Sequence, residues 1–155
     1  MGDVLVDTSR FTLKTRRVKA MFAAAAAKEL LVAAQKIYKG SAANLKGPGI
    51  PKSTSSGGRQ YPDYSKIPGY DTSSMPIGRV TGTLARSLTL TPLSSISYAI
   101  WADPKIANYA KYVHSGTKYL KPRRFIYDVV NKERAGITSH MKKILKDAIA
   151  SEGKK

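Results

Sequence analysis

Apolar residues recur at steps of three and four in two long stretches of the chain, and alternate with polar ones in a third. In the first, Phe11, Val18, Phe22, Ala25, Val32 and Ala33 fall at helical spacing, with Arg16, Arg17, Lys19 and Lys36 mostly elsewhere, and no Gly or Pro interrupts the run to Lys39. This predicts one long helix. Asp7, Thr8 or Ser9 can cap its start by offering a side-chain oxygen to the free N–H groups of the first turn, and Gly40 is the expected C-terminal stop. Five consecutive alanines at 23–27 give it a smooth surface on which another element can pack closely. Asp3–Asp7 reads as a short strand or extended lead-in. In the last stretch, from Arg123 to Ala150, the residues Ile126, Val130, Ile137, Met141, Ile144, Leu145 and Ala148 share one face of a second helix. Gly136 weakens that helix by about 1 kcal/mol relative to Ala. Lys142, Lys143 and Lys146 suit the negative end of its dipole.

Between the helices the pattern changes twice. Residues 41–79 hold five of the eight prolines with many glycines and serines, and no periodicity survives. A loop of nearly forty residues is expected there, projecting as an arm whose Tyr61, Tyr64 and Tyr70 are suited to anchoring a contact with a neighbour. Val80–Ser87 then reads as a short helix. Ser87–Pro92 and Ser95–Trp101 alternate as the strands of a hairpin, with its turn at Pro92–Ser95. Ile106–Ser115 reads as a second short helix ended by Gly116. The expected fold is α+β in a single domain over 1–155: the long N-terminal and the C-terminal helix pack on a small antiparallel sheet from residues around 87–102.

Charge alters this picture more than composition does. The chain has 27 Lys+Arg against 10 Asp+Glu, a formal net charge of +17. Such an excess favours anionic partners, whether nucleic acid, lipid headgroups or acidic protein surfaces. Counted by segment it is +5 over 1–40, +3 over 41–80, +3 over 81–120 and +6 over 121–155, so it is spread along the fold and forms no basic tail. The apolar run Ala20–Ala27 is too short to span a bilayer, and a soluble protein is expected.

Candidate chemistry is sparse. With no cysteine there is neither a disulfide nor a thiolate metal site, and His114 and His140 lack clustered carboxylates at metal-ligand spacing. Neither a Gly-x-Ser-x-Gly elbow nor a Gly-x-x-x-x-Gly-Lys phosphate loop occurs. Asp128 and Glu133, five residues apart, are in poor register for shared acid–base work. No enzymatic activity, cofactor or metal is expected. The densest cluster of unusual residues is Tyr109–Ile126, YAKYVHSGTKYLKPRRFI. There Gly116 can take the positive φ that ends a helix, and Phe125 with Ile126 can dock the last helix on the core. Arg123 and Arg124 offer planar forks for carboxylates or phosphates.

The order TGTLARSL at Thr81–Leu88, a hairpin, YAKYVHSGT at Tyr109–Thr117, then KPRRFI at Lys121–Ile126 before a charged helix resembles the tail-completion family of long-tailed bacteriophages, also called head–tail joining or neck proteins. The matching positions are Thr81, Gly82, Leu84, Arg86 and Ser87, then Tyr109, Ala110, Gly116 and Thr117, then Pro122, Arg123 and Phe125. The resemblance spans residues 80–150. His114 stands where the family commonly has an acid, and Arg124 where it commonly has a proline. The resemblance implies a structural virion protein at the head–tail junction, assembled in the host cytoplasm. It would form a ring of its own copies, a hexamer, between the head connector or stopper and the tail terminator or tail tube, with genomic DNA passing through the lumen. It also makes Tyr109, His114, Gly116, Thr117, Arg123, Arg124 and Phe125 the expected interface and structural residues. A basic nucleic-acid-binding protein, or another phage tail component such as a tail terminator, are the alternatives.

Overall fold

The structure, a computed structural model, describes residues 9–55, 57–67, 69, 71, 75–79, 81–118 and 120–153. The side chains of 9–12, 61, 62, 64, 152 and 153 fall outside the description, as do the expected strand at Asp3–Asp7, the caps Asp7 and Thr8, and Tyr70. Two helices dominate the rest: α1, Ser9–Asn44, and α4, Tyr127–Gly153. Between them lie two short strands, β1 Lys52–Thr54 and β2 Gln60–Pro62, a five-residue helix α2, Thr83–Ser87, the hairpin β3 Leu88–Ser94 and β4 Ser97–Ala102, and α3, Ala110–Ser115. This is an α+β fold.

α1 and α4 run antiparallel, and four contacts set their register. Gly40 lies against Val129, Lys36 pairs with Glu133 at 2.6 Å, Glu29 with His140 at 3.7 Å, and the Ser151 hydroxyl, which donates to Ala148 O at 2.8 Å, lies 3.9 Å from the sulfur of Met21. The buried positions of α1 are Ala26, Ala34 and Ser41, leading to Leu45 just beyond the helix, while Val18, Phe22, Leu30 and Ile37 are half-buried between them. This stripe differs from the expected one: Ala25 and Val32 are exposed. Within five identical methyl groups nothing local marks a face, so contact with α4 chooses Ala26. On α4, Ala148 is buried and Ile137, Met141 and Ile144 are half-buried, but Leu145 points outward at 42% exposure. The helix also continues to Gly153, which puts Lys142, Lys143 and Lys146 about two turns or more before its end.

Gly40 does not end α1, which runs one further turn to Asn44. A Cβ placed on Gly40 would come within 2.8 Å of Val129 Cγ1, so this glycine permits close approach of the two helices.

α1 also packs on both strands of the β3–β4 hairpin and thereby joins the helical layer to the sheet. The hairpin pairs Leu88 with Ala102 and Leu90 with Ile100, as alternation predicts, but its turn falls at Ser95–Ile96, later than expected. Pro92 remains in the strand opposite Tyr98, and a bulge between Pro92 and Ser94 absorbs the irregularity. A two-stranded sheet has only edge strands, so the missing N–H of Pro92 breaks no interior ladder.

The 41–79 segment is more ordered than a featureless loop. Its base is clamped: Ile77 N donates to Asn44 O at 2.7 Å, Arg79 N to Pro48 O at 2.8 Å and Ile50 N to Arg79 O at 2.7 Å. Leu45, Ile50 and Ile77 are buried there. Farther out, β1 and β2 form a second small hairpin, followed by a 3-10 turn at Tyr64–Lys66. Asp63 ties the two together by accepting from the Ser53 hydroxyl and from the Ser65 hydroxyl and N–H. The Ser53 bond is the main reason its carboxyl is held below the ordinary value. Tyr61 and Tyr64 lie on this hairpin and turn by their backbone; contacts of their side chains lie outside the described residues.

If Gly40 serves helix–helix approach, Gly40→Leu should overpack the contact. The expected cost of about 1–3 kcal/mol exceeds the roughly 1 kcal/mol gained in helix propensity. Thermal melts should therefore show a lowered Tm, and adding Val129→Ala to the same chain should recover most of the loss. A Gly40→Leu chain at least as stable as the parent would remove the close-packing account.

Candidate functional site

The residues from Tyr109 to Phe125 form a knot between the two long helices. α3 begins after Tyr109, whose carbonyl accepts from Tyr112 N at 3.0 Å and Val113 N at 3.2 Å. The helix stops at Gly116 with φ 78° and ψ 175°. A Cβ there would lie 2.7 Å from Leu120 O and 2.8 Å from Pro122 N, so the returning chain occupies the space a side chain would need. Thr117 holds the return: its N–H donates to Leu120 O at 2.8 Å, and Leu120 N donates to its hydroxyl at 3.1 Å. Arg123 N then donates to Val113 O at 3.0 Å, which fastens the strap back onto α3.

This geometry delivers Phe125, 1% exposed, into a core of Leu45, Leu84, Leu88, Ala107 and Ala110. Asn44 at the end of α1 donates its side-chain N–H to Phe125 O at 3.1 Å, so the start of α4 is bonded to the end of α1 across 81 residues of sequence. His114 stands edge-on to Phe125, with centroids 5.4 Å apart and planes at 85°. Burial is the main cause that holds its imidazole below the ordinary 6.5; the Arg124 charge adds to this and Asp128 opposes it.

The two arginines part company here. Arg124 is exposed, with its guanidinium 5.6 Å from the centre of the Tyr127 ring. Arg123, the other of the two forks, turns inward and is only 8% exposed. Its Nε is buried and has no hydrogen-bond partner among the described residues.

Two clefts flank the knot. One, of about 420 Å³, lies between β4, α3 and the start of α4, with Trp101, His114 and Tyr127 on its walls. The other, of about 340 Å³, is walled by Tyr109, Val113 and Arg123 together with Leu45, Leu84 and Arg79, and shares no lining residue with the first. Sequence reasoning missed Asn44, Leu45 and Trp101 as parts of this region, because nothing local to each marks its distant partner. Tyr109, His114, Gly116, Thr117, Arg123, Arg124 and Phe125 do come together, whereas Tyr61 and Tyr64 belong to the separate β1–β2 hairpin and turn.

Among the described residues no group of three or more His, Asp or Glu side chains is placed to hold a metal ion, and no helix is long and apolar enough to cross a membrane. No protein family, curated protein or solved structure matches the chain.

Gly116→Ala must place a side chain at positive φ and against Leu120 O. It should destabilise the chain by at least about 1–3 kcal/mol, the cost of a side chain in a backbone region (φ 78°, ψ 175°) that glycine alone enters freely, as read by denaturant unfolding. A substitution without effect would show that the turn is not constrained. His114 makes a pH prediction. Because its folded value lies below 6.5, the unfolded chain binds the proton first as pH falls, and stability drops once the pH passes below about 6.5. Melts between pH 5 and 7.5 should show this drop in the parent and a smaller one in His114→Gln; parallel profiles would refute it.

Proposed function

We propose that this chain is a structural subunit of a tailed bacteriophage particle, forming a ring at the head–tail junction that joins the head connector to the tail tube and lets DNA pass. The carrying observation is the convergence of the resembling motifs. Leu84 and Ser87 from the first, Ala110 and Gly116 from the second, and Arg123 and Phe125 from the third meet in the one knot that fastens α1 to α4. Their order along the chain is therefore also a packing unit, as expected if the resemblance reflects a shared fold.

The surface supports an assembling subunit. The chain presents 11404 Å², against roughly 7,700 Å² for a compact monomer of its mass. α1, at 36 residues, is about 54 Å long, well beyond the roughly 30 Å diameter of a small domain. Large apolar side chains stand in solvent at several places, among them Leu93 at 68% and Ile96 on the β3–β4 hairpin tip, and Trp101 and Tyr127 beside the knot. Exposed apolar area on this scale is what neighbours in a ring would cover.

The charge fits the same site. Lys14, Arg16, Arg17, Lys28, Lys36 and Lys39 of α1, and Lys132, Lys142, Lys143 and Lys146 of α4, are all exposed. Distributed bases of this kind suit non-specific contact with phosphates along a passage rather than readout of a sequence.

Deleting the gene for this chain from the phage should leave filled heads and separate tails, visible by electron microscopy. Purified wild-type particles should contain the chain in a few copies. Normal infectious particles from the deletion strain would overturn the proposal.

A further inference from the structure

We infer that the cleft beneath Arg123 is a carboxylate socket, and that its occupant is the acidic segment Asp3–Asp7 of a second copy of this chain. The inference stands on this cleft and the sequence, not on the ring assignment.

The first ground is the state of Arg123. A guanidinium cannot shed its proton to escape burial as a lysine or histidine can, so a buried arginine needs an anionic partner. Arg123 is more than nine-tenths buried, is tethered through its backbone to Val113, and has an orphaned Nε. The ion pairs among the described residues are Lys36 with Glu133, Lys66 with Asp63 and His140 with Glu29, and none of these acids lines the cleft. A second cation, Arg79, stands in the same cleft, its Nε donating to Gly47 O at 2.9 Å. Among the described residues no acid pairs with Arg123, and an arriving carboxylate would give its guanidinium a counter-charge.

The shape of the cleft narrows the anion. Its volume of about 340 Å³ holds roughly ten waters, enough for a side chain or two. Leu45, Leu84, Val113 and Tyr109 make its remaining walls mostly apolar. A nucleic-acid phosphate carries sugars on both sides, which a cleft of about 340 Å³ with mostly apolar walls suits poorly. A carboxylate at the end of a side chain can, with aliphatic neighbours to cover the walls.

Asp3-Val4-Leu5-Val6-Asp7 has this chemistry. It sets two acids around three aliphatic residues, and residues 1–9 contain no Lys or Arg in a chain that otherwise carries 27. The chain's own segment cannot reach the cleft. α1 separates Ser9 from Leu45 by about 54 Å, whereas eight extended residues span at most about 29 Å. The donor is therefore another copy. Residues 13–17 of α1 are all exposed, and Met21 already faces Ser151 near the end of α4, so the first turns of α1 reach past α4 toward a neighbour. Donation from the far end of one copy to the knot of the next is a head-to-tail contact. Such contacts close into rings when the rotation permits, and this one would place acid against base between chains of high positive charge.

The test is a titration of the full chain with a fluorescent peptide of residues 1–9, read by anisotropy, beside the sedimentation of the full chain itself. At a dilution where the parent is monomeric, the peptide should bind it, and bind at least tenfold more weakly when Asp3 and Asp7 are replaced by Asn. It should also bind at least tenfold more weakly to Arg123→Met, while Lys146→Met, the same charge change on distant α4, binds as the parent does. The parent should sediment as an oligomer, and the Asp3→Asn/Asp7→Asn and Arg123→Met chains as smaller species. At a dilution where the parent is monomeric and its socket empty, Arg123→Met, an apolar side chain of similar length, should melt no lower than the parent. At concentrations where the parent is an oligomer, the parent alone should gain Tm; loss of a merely structural arginine would lower Tm at both. Equal binding by Arg123→Met, equal binding of a scrambled peptide of the same composition, or no binding to the parent would each overturn the inference. The ring proposal fails separately, on the composition of particles.

Discussion

Burial of Phe125 is the interaction on which the rest of this structure depends. The two long helices are joined along a narrow, alanine-lined seam that a short side chain such as Ala26 or Ala148 can fill but not anchor. The anchor is at one end. There Phe125 is enclosed by Leu45 from the end of α1, Leu84 and Leu88 from α2 and β3, and Ala107 and Ala110 around α3. The backbone oxygen of Phe125 is claimed by Asn44, and the strap that delivers it is bonded to α3 through Arg123 and Val113. An aromatic side chain buries more apolar area than any other single group here, and its fixed ring sets the direction in which α4 departs.

From that anchor the helices run outward for the length of α4 with progressively less around them. Lys36–Glu133 and Glu29–His140 span the seam, but Lys36 and His140 are largely solvated, and such half-exposed pairs contribute little beyond register. The molecule is therefore a compact knot with a long two-helix extension, which explains its large surface for its mass. A shape of this kind is costly for a monomer, because conformational entropy is lost along helices that bury only one narrow stripe. It is well suited to a subunit whose remaining faces are covered by neighbours.

The fold and the candidate site were legible to different degrees. Both long helices, the hairpin and the stop at Gly116 follow from spacing and from glycine chemistry, since each is set by residues within a few positions of one another. The clamp at the base of 41–79 was not visible, because Leu45 and Ile77 lie in a segment without periodicity and meet only across more than thirty residues. The inward turn of Arg123 was equally hidden. Two adjacent arginines are identical as sequence; the hydrogen bond to Val113 decides which of them faces the cleft.

The sequence by itself determined the kinds of element, their order, the absence of disulfide chemistry and the charge that any assembly must accommodate. These are local or additive properties, and they hold whatever the chain packs against. The tertiary structure alone decided that Gly40 lies within a helix and serves Val129, that Ala26 and not Ala25 faces α4, and that Arg123 is buried while Arg124 lies by Tyr127. Each of those outcomes depends on a residue far away in sequence that competes for the same space. In the Tyr109–Ile126 stretch both kinds of determination meet: glycine and proline chemistry sets the turn, and packing on Phe125 gives it a direction.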